Sequence, residues 1–99
     1  MMIITTPCWN CDKEMLMAVE GDDGGNLEAT PAGFDEAQVK LVESHGVVLK
    51  IVSSKAAEEA YKANVCTHCD AFIGEWFIFA NYYCEALYGR LPYKRVQSI

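Results

Sequence analysis

Two short cysteine pairs, Cys8-Trp9-Asn10-Cys11 and Cys66-Thr67-His68-Cys69, carry the clearest chemistry in this chain. Two residues between cysteines let one tight turn aim both sulfurs at a single point, while the turn's backbone N–H groups face the sulfurs and soften their negative charge. Each pair is thus half of a tetrahedral thiolate site. Four thiolates at about 2.3 Å satisfy Zn²⁺ without a bound water, so the doubled motif predicts one closed, structural zinc ion per chain, held by Cys8, Cys11, Cys66 and Cys69. Residues 12 to 65 lie between the pairs, a longer separation than in the simplest four-cysteine pattern. It costs only loop-closure entropy, which grows slowly with length, and much of the insert should itself be folded.

Two plainer readings compete with zinc. In the first, one or both pairs are buried apolar cysteines that happen to share a spacing. A thiol redox protein is the second, because Cys8 and Cys11 follow an extended segment and could open a helix. A thioredoxin-like motif, however, needs a βαβ unit straight after it, whereas residues 21 to 33 offer loop, and the second pair would have no role.

Other reactive residues do not assemble into a catalytic group. His68 lies inside the second pair, between two cysteines already at the right spacing, and is expected to point outward. His45 falls in the last turn of an expected helix, where a partly protonated imidazole suits the helix dipole. Cys84 sits on an apolar helical stripe, the usual place of a small buried thiol. With no nucleophile, base and orienting group to combine, the chain reads as not an enzyme. Among the aromatics Trp9, Trp76, Phe77, Tyr82 and Tyr83, most should cover the sides of a thin fold. Trp9 is the exception: at the tip of a cysteine turn it has little core to enter, which makes it the candidate partner-binding residue.

The elements that must position the cysteines follow from the flanking residues. Residues 1 to 7 are apolar or β-branched and Pro7 closes them, giving an extended lead-in. After Cys11, Asp12 stands where Gly is usual, and Asp tolerates the left-handed backbone better than most residues. Residues 15 to 19 then form a strand pairing back on the lead-in. Residues 21 to 26 are dense turn chemistry, with Asp23-Gly24 suited to a type I′ turn. Their carboxylates lack the spacing of a calcium loop.

A helix is expected from Asp35, which can cap it, to Gly46, which ends it. Residues 47 to 52 form a β-branched run that predicts a buried strand. Ser53-Ser54 could cap a further helical turn or two with Ala56, Ala57, Glu58, Glu59 and Ala60. Residues 72 to 79 are rich in β-formers and predict a closing strand. Ala80, Tyr83, Cys84, Leu87 and Tyr88 recur at helical spacing before Gly89, and the tail beyond Pro92 reads as irregular.

Composition sets the outer limits. The chain has 99 residues, 52% hydrophobic and 22% charged, which suits one small folded domain over residues 1–99. Its formal charge is −6, with all fourteen acids but only five of the eight bases in residues 1 to 85. An acidic body is followed by a basic tail containing Arg90, Lys94 and Arg95. The balance disfavours nucleic-acid binding through phosphate contacts, which needs clustered Lys and Arg. The first six residues are too short and uncharged for a signal peptide, and no apolar run reaches the roughly 18 residues that span a bilayer, so no membrane association is expected. Paired cysteines that hold metal suit a reducing, cytoplasmic setting.

The residues 61 to 77, Tyr-Lys-Ala-Asn-Val-Cys-Thr-His-Cys-Asp-Ala-Phe-Ile-Gly-Glu-Trp-Phe, taken with Cys8-Trp9-Asn10-Cys11-Asp12-Lys13-Glu14, resemble small zinc-ribbon proteins of bacteria and bacteriophage, mostly of unassigned function. An aromatic residue and Ala-Asn precede the second pair in that pattern, and Gly, an acid and an aromatic follow it. The resemblance implies the same four zinc ligands and brings no activity with it. Asp12 and Asp70 replace the Gly typical after each pair.

The expected architecture is therefore α+β: a zinc ribbon of two cysteine knuckles and antiparallel hairpins, with a helix-strand-helix insert at about residues 21–60 and a C-terminal helix and basic tail at about residues 80–99. The expected role is a structural zinc protein that acts as a protein–protein interaction module, either an acidic inhibitor or an adaptor. A nucleic-acid-binding ribbon using Trp9, other aromatics and the basic tail is the first alternative, and a thiol redox protein the second.

Overall fold

A computed structural model describes residues 1–53 and 60–97. Strands β1 (Met2–Pro7) and β2 (Glu14–Gly21) form an antiparallel hairpin in continuous register, from Met2 opposite Val19 to Pro7 opposite Glu14. The short β3 (Leu27–Ala29) extends the sheet beside β2, and β6 (Tyr93–Arg95) pairs with β1 on the other side, giving the order β3-β2-β1-β6. A second, two-stranded sheet pairs β4 (Leu49–Ser53) with β5 (Ala60–Asn64). Helix α1 (Glu36–Ser44) precedes β4. A helical segment over residues 75 to 87 follows the second cysteine pair, built from α2 (Glu75–Ile78), a π-helical turn (Phe79–Tyr83) and α3 (Cys84–Leu87).

Both faces of the main sheet are buried, because successive side chains along a strand point to opposite sides. Met2, Ile4, Met15, Met17 and Val19 pack with Ile78, Tyr82, Tyr83 and Ala86 of the helical segment and with Cys8 and Cys66. Ile3 and Ala18 pack on the other side with Phe34, Val42, Val47 and Val96. The sheet therefore lies between the helical segment on one face and α1 with its flanking loops on the other, which explains why β1 and β2 read as apolar runs rather than as an alternation.

Helix α1 begins as its sequence implies. The Asp35 carboxylate accepts from the Gln38 backbone N–H at 2.8 Å, and the Gln38 side chain accepts from the Asp35 N–H at 2.9 Å, a reciprocal capping box. Gly46, at φ +93°, turns the chain out of the helix.

Several sequence expectations are corrected. Residues 72 to 79 do not form a closing strand: pairing there is limited to a single bridge between Val65 and Phe72, and a helix starts at Glu75. Ile78, Tyr82, Tyr83 and Ala86 are spaced to bury one helical face, and that packing overrides the β-propensity of the individual residues. The π turn, closed by the Cys84 N–H on the Phe79 carbonyl, inserts an extra residue. It brings Tyr82 and Tyr83 inward together, whereas Ala80 and Tyr88, which the simple helical spacing placed on the apolar stripe, are exposed.

The strand expected over residues 47 to 52 is β4, but it is an edge strand rather than a buried one. Val47 is buried and Ile51 is 67% exposed. The tail is not irregular, since β6 pairs Met2 with Arg95 and Ile4 with Tyr93. The helical turn expected over residues 54 to 60 lies outside the described residues apart from Ala60, which belongs to β5.

The Asp23-Gly24 turn is also different in kind. Left-handed backbone occurs at Gly25, and Asp22 organises the loop by accepting from the backbone N–H groups of Gly24 and Asn26 and from the Asn26 amide. The Asn26 side-chain amide, followed by these backbone donors, holds the Asp22 carboxyl below its ordinary range.

Candidate metal centre

The two cysteine turns have the same internal geometry. In the first, the Cys8 N–H donates to the Lys13 carbonyl at 2.8 Å and the Asp12 N–H to the Cys8 carbonyl at 2.9 Å. In the second, the Cys66 N–H donates to Ala71 at 2.9 Å and the Asp70 N–H to Cys66 at 3.0 Å. Residues at equivalent positions, Asn10 and His68, each point a backbone N–H at the leading sulfur, at 3.4 Å in both cases. The residue after each pair is left-handed, Asp12 at φ 63° and Asp70 at φ 62°, so both aspartates adopt the conformation that glycine usually supplies.

The fold then brings the turns face to face. The first is the tip of the β1–β2 hairpin, and the second joins β5 to the helical segment. All four sulfurs, those of Cys8, Cys11, Cys66 and Cys69, lie within 4.8 Å of one another. The short contacts run between the turns, Cys8 to Cys69 at 3.6 Å and Cys11 to Cys66 at 3.8 Å. A regular tetrahedron with metal–sulfur bonds of about 2.3 Å has edges of about 3.8 Å, so the donor set fits one tetrahedral thiolate-bound ion. A disulfide needs about 2.05 Å between sulfurs, and all five cysteines are free. Cys8 and Cys66 are buried while Cys11 and Cys69 are half-buried, so the site sits at the end of the core and opens at its edge.

The electrostatics also favour a cation. Cys69 is drawn down to about 6, first by the Asn10 side-chain amide and then by the Ala71 backbone N–H. Cys11 goes the other way: the Lys13 backbone N–H pulls it down, but burial and the sulfurs of Cys69, Cys8 and Cys66 raise it to about 12. The negative form is thus favoured at Cys69 and opposed at Cys11, where the other sulfurs crowd it. A bound divalent cation removes that conflict by compensating the crowded negative charge.

Asn64 ties the second turn to the first. It is fully buried, and its side chain accepts from the Ala18 N–H at 2.9 Å and donates to the Ala18 carbonyl at 3.3 Å. Its amide thus occupies the place of a neighbouring strand along the middle of β2. In the sequence Asn64 stands out only as part of the Ala-Asn before the second pair, with nothing that assigns it a partner in β2. A second tie joins Trp9 to the far turn, its indole Nε1–H donating to the Phe72 carbonyl at 3.0 Å. The Trp9 ring is nevertheless 62% exposed.

The other aromatics divide. Tyr82 and Tyr83 are buried, whereas Trp76 is 87% exposed and Phe77 is also exposed, against the expectation that they would cover the sides of the fold. Cys84 is half-buried on α3, apart from the four-sulfur cluster, and the His68 side chain is not among its ligands. No helix among the described residues is long and apolar enough to cross a membrane. No protein-family model, curated protein or solved structure matches this chain.

Proposed function

We propose that the chain is a zinc-ribbon-type protein with one structural Zn²⁺ on Cys8, Cys11, Cys66 and Cys69, and that it works as a protein–protein interaction module. The observation that carries the metal reading is the convergence of two equivalent cysteine turns on one tetrahedral arrangement of sulfurs. Four thiolates fill the coordination sphere of zinc, so the ion shapes a surface and leaves no position for substrate. The zinc reading is tested by metal analysis of natively purified protein: one zinc per chain, displaced by a mercurial reagent as four thiols titrate, is expected. Less than half an equivalent after reconstitution overturns it.

The interaction reading draws on the exposed apolar side chains of Trp9, Trp76, Phe77 and Phe79, gathered in the first cysteine turn and the helical segment that follows the second. Contiguous exposed apolar surface marks contact sites, and of these four side chains Trp9 and Phe77 line one common cavity. The acidic body suits a basic partner, with binding that weakens as salt rises. The basic tail is less available to nucleic acid than its composition implies. The Arg95 guanidinium donates to the Gly21 carbonyl and Asp23 carboxylate, and Arg90 pairs with Glu85 at 3.0 Å. The redox alternative is disfavoured because the short sulfur contacts join different pairs instead of partners within one C-x-x-C motif. Compared in zinc-replete preparations of equal metal content, a partner captured by wild-type protein should be lost with Trp9→Ala; retention by that variant removes Trp9 from the contact.

A further inference from the structure

Beside the metal centre lies a cavity of about 480 Å³, lined by Trp9, Ile73, Phe77, Asn81 and Tyr82. That volume is in the range of small-ligand pockets. Three of its five walls are aromatic rings, one is aliphatic and one is a neutral amide. Its parts come from separate places and are held there independently. Trp9 is fixed through its N–H edge to the Phe72 carbonyl, Ile73 and Tyr82 belong to the buried core, and Phe77 and Asn81 are one helical turn apart.

We propose that this cavity is a cage for a quaternary or polymethylated ammonium group, bound over the rings of Trp9, Phe77 and Tyr82. Such a group has no hydrogen to donate and carries its positive charge on methyl surface, so aromatic faces recognise it where hydrogen-bond acceptors cannot. The chain carries a net charge of −6, and no Lys or Arg lines the cavity. Of the acids in residues 63 to 89, Asp70 is paired with Lys50 and Glu85 with Arg90, which leaves Glu75 outside the ion pairs of the described residues. The two Arg–ring contacts among the described residues lie elsewhere, Arg90 over Tyr88 and Arg95 over Tyr93, so neither supplies a cation to these three rings. A neutral apolar ligand would fill the same volume but would gain nothing from the ring electrostatics.

The group could arrive as a free small molecule or on the methylated lysine of a protein partner. Only the second source rests on the interaction reading above. The test follows the indole N–H signals of zinc-replete full-length protein by nuclear magnetic resonance, with Trp76→Phe assigning the Trp9 signal. Choline, its neutral carbon analogue 3,3-dimethylbutan-1-ol, and a short peptide with either trimethyllysine or unmodified lysine are titrated separately. Choline is expected to shift the Trp9 signal saturably, the neutral alcohol to bind about tenfold more weakly, and Phe77→Leu to weaken choline by a similar factor. Tighter binding of the trimethyllysine peptide than of choline places the group on a partner, and choline alone places it on a free cation; either supports the cage. Equal binding of the neutral alcohol, no saturable shift with choline, or undiminished choline binding by Phe77→Leu overturns it. Failure to find a protein partner would leave the choline result standing, so the two readings fail separately.

Discussion

The turn at Cys8 closes a hairpin whose strands are paired over their full length within a four-stranded sheet, whereas the turn at Cys66 stands between a two-stranded arm and a helix. Inside the turns the hydrogen bonds, the N–H to sulfur contacts and the left-handed aspartates agree closely. Outside them almost nothing is shared. The geometry that presents two sulfurs is thus local, a property of C-x-x-C followed by a residue that tolerates positive φ. The first turn inherits its position from a sheet that buries both faces. The second is positioned by the Val65–Phe72 bridge, the Asn64 amide, the Trp9 indole and the sulfurs themselves.

Metal removal tests this difference most severely. Because the four sulfurs come together only in the folded chain, an ion bound there would contribute apparent folding energy on the order of 10 kcal/mol at neutral pH. A chelator that strips the ion is expected to lower helix and strand signal in circular dichroism together. At partial loading, hydrogen exchange should find residues 64 to 74 deprotected before β1 and β2. Simultaneous loss at both turns would show that they are equally dependent on the ion, and unchanged dichroism after verified removal would make the metal dispensable to the fold.

The Asn64 contact is the next largest. Asn64→Ala leaves the Ala18 N–H and carbonyl without their buried partners, for an expected loss of about 2–4 kcal/mol. The denaturation midpoint should fall, and exchange at the second turn should rise more than at the first. A change below about 0.5 kcal/mol, the range of ordinary surface substitutions, would mean that the amide is not what joins the two turns.

Gly21→Ala probes the joint between the sheet and the helical segment. A Cβ there would meet the buried Tyr83 ring at 2.7–2.8 Å, and the Tyr83 hydroxyl donates to the Asp22 carbonyl. Overpacking of this kind is expected to cost about 1–3 kcal/mol in a denaturant titration. The helical segment carries Tyr82 and packs against Cys8 and Cys66, so zinc retention should fall with stability. Full retention would uncouple helix docking from the metal centre.

The same contrast explains what could be read from the sequence. The cysteine turns, the hairpin through the first of them and the capped helix α1 are each set by residues close together in the chain, and all three are where their residues imply. The segment after Cys69 is governed by partners remote in sequence. Phe72 to Phe79 has the composition of a strand, and only the sheet surface against which Ile78, Tyr82 and Tyr83 pack makes it helical. The π turn shifts the buried face further, which no fixed helical period can express. β5 and β6 were hidden for a related reason: each is short and partly polar, and its strand character comes from β4 and β1 beside it. Asn64 in turn reads as an ordinary polar residue until Ala18 is opposite it.

The smallest effects should come from the left-handed aspartates, where the two turns are most alike. A non-glycine residue in this conformation costs roughly 1–2 kcal/mol, and less for Asp than for Ala. Glycine relieves that strain but adds about 0.4–1 kcal/mol of unfolded-state entropy to be lost. Asp12→Gly is therefore expected to stabilise by no more than about 0.5 kcal/mol, while Asp12→Ala destabilises by about 1 kcal/mol. Asp70 has one further partner, the Lys50 ammonium at 2.9 Å, in a pair more than half exposed on both sides. Such a pair contributes about 0.2–1 kcal/mol, and this exposure puts it at the low end. Asp70→Gly should consequently gain less than Asp12→Gly or lose slightly, and the gap should close in high salt. Equal responses at the two positions, independent of salt, would show that Lys50 adds nothing to the second turn and leave the backbone as its sole local constraint.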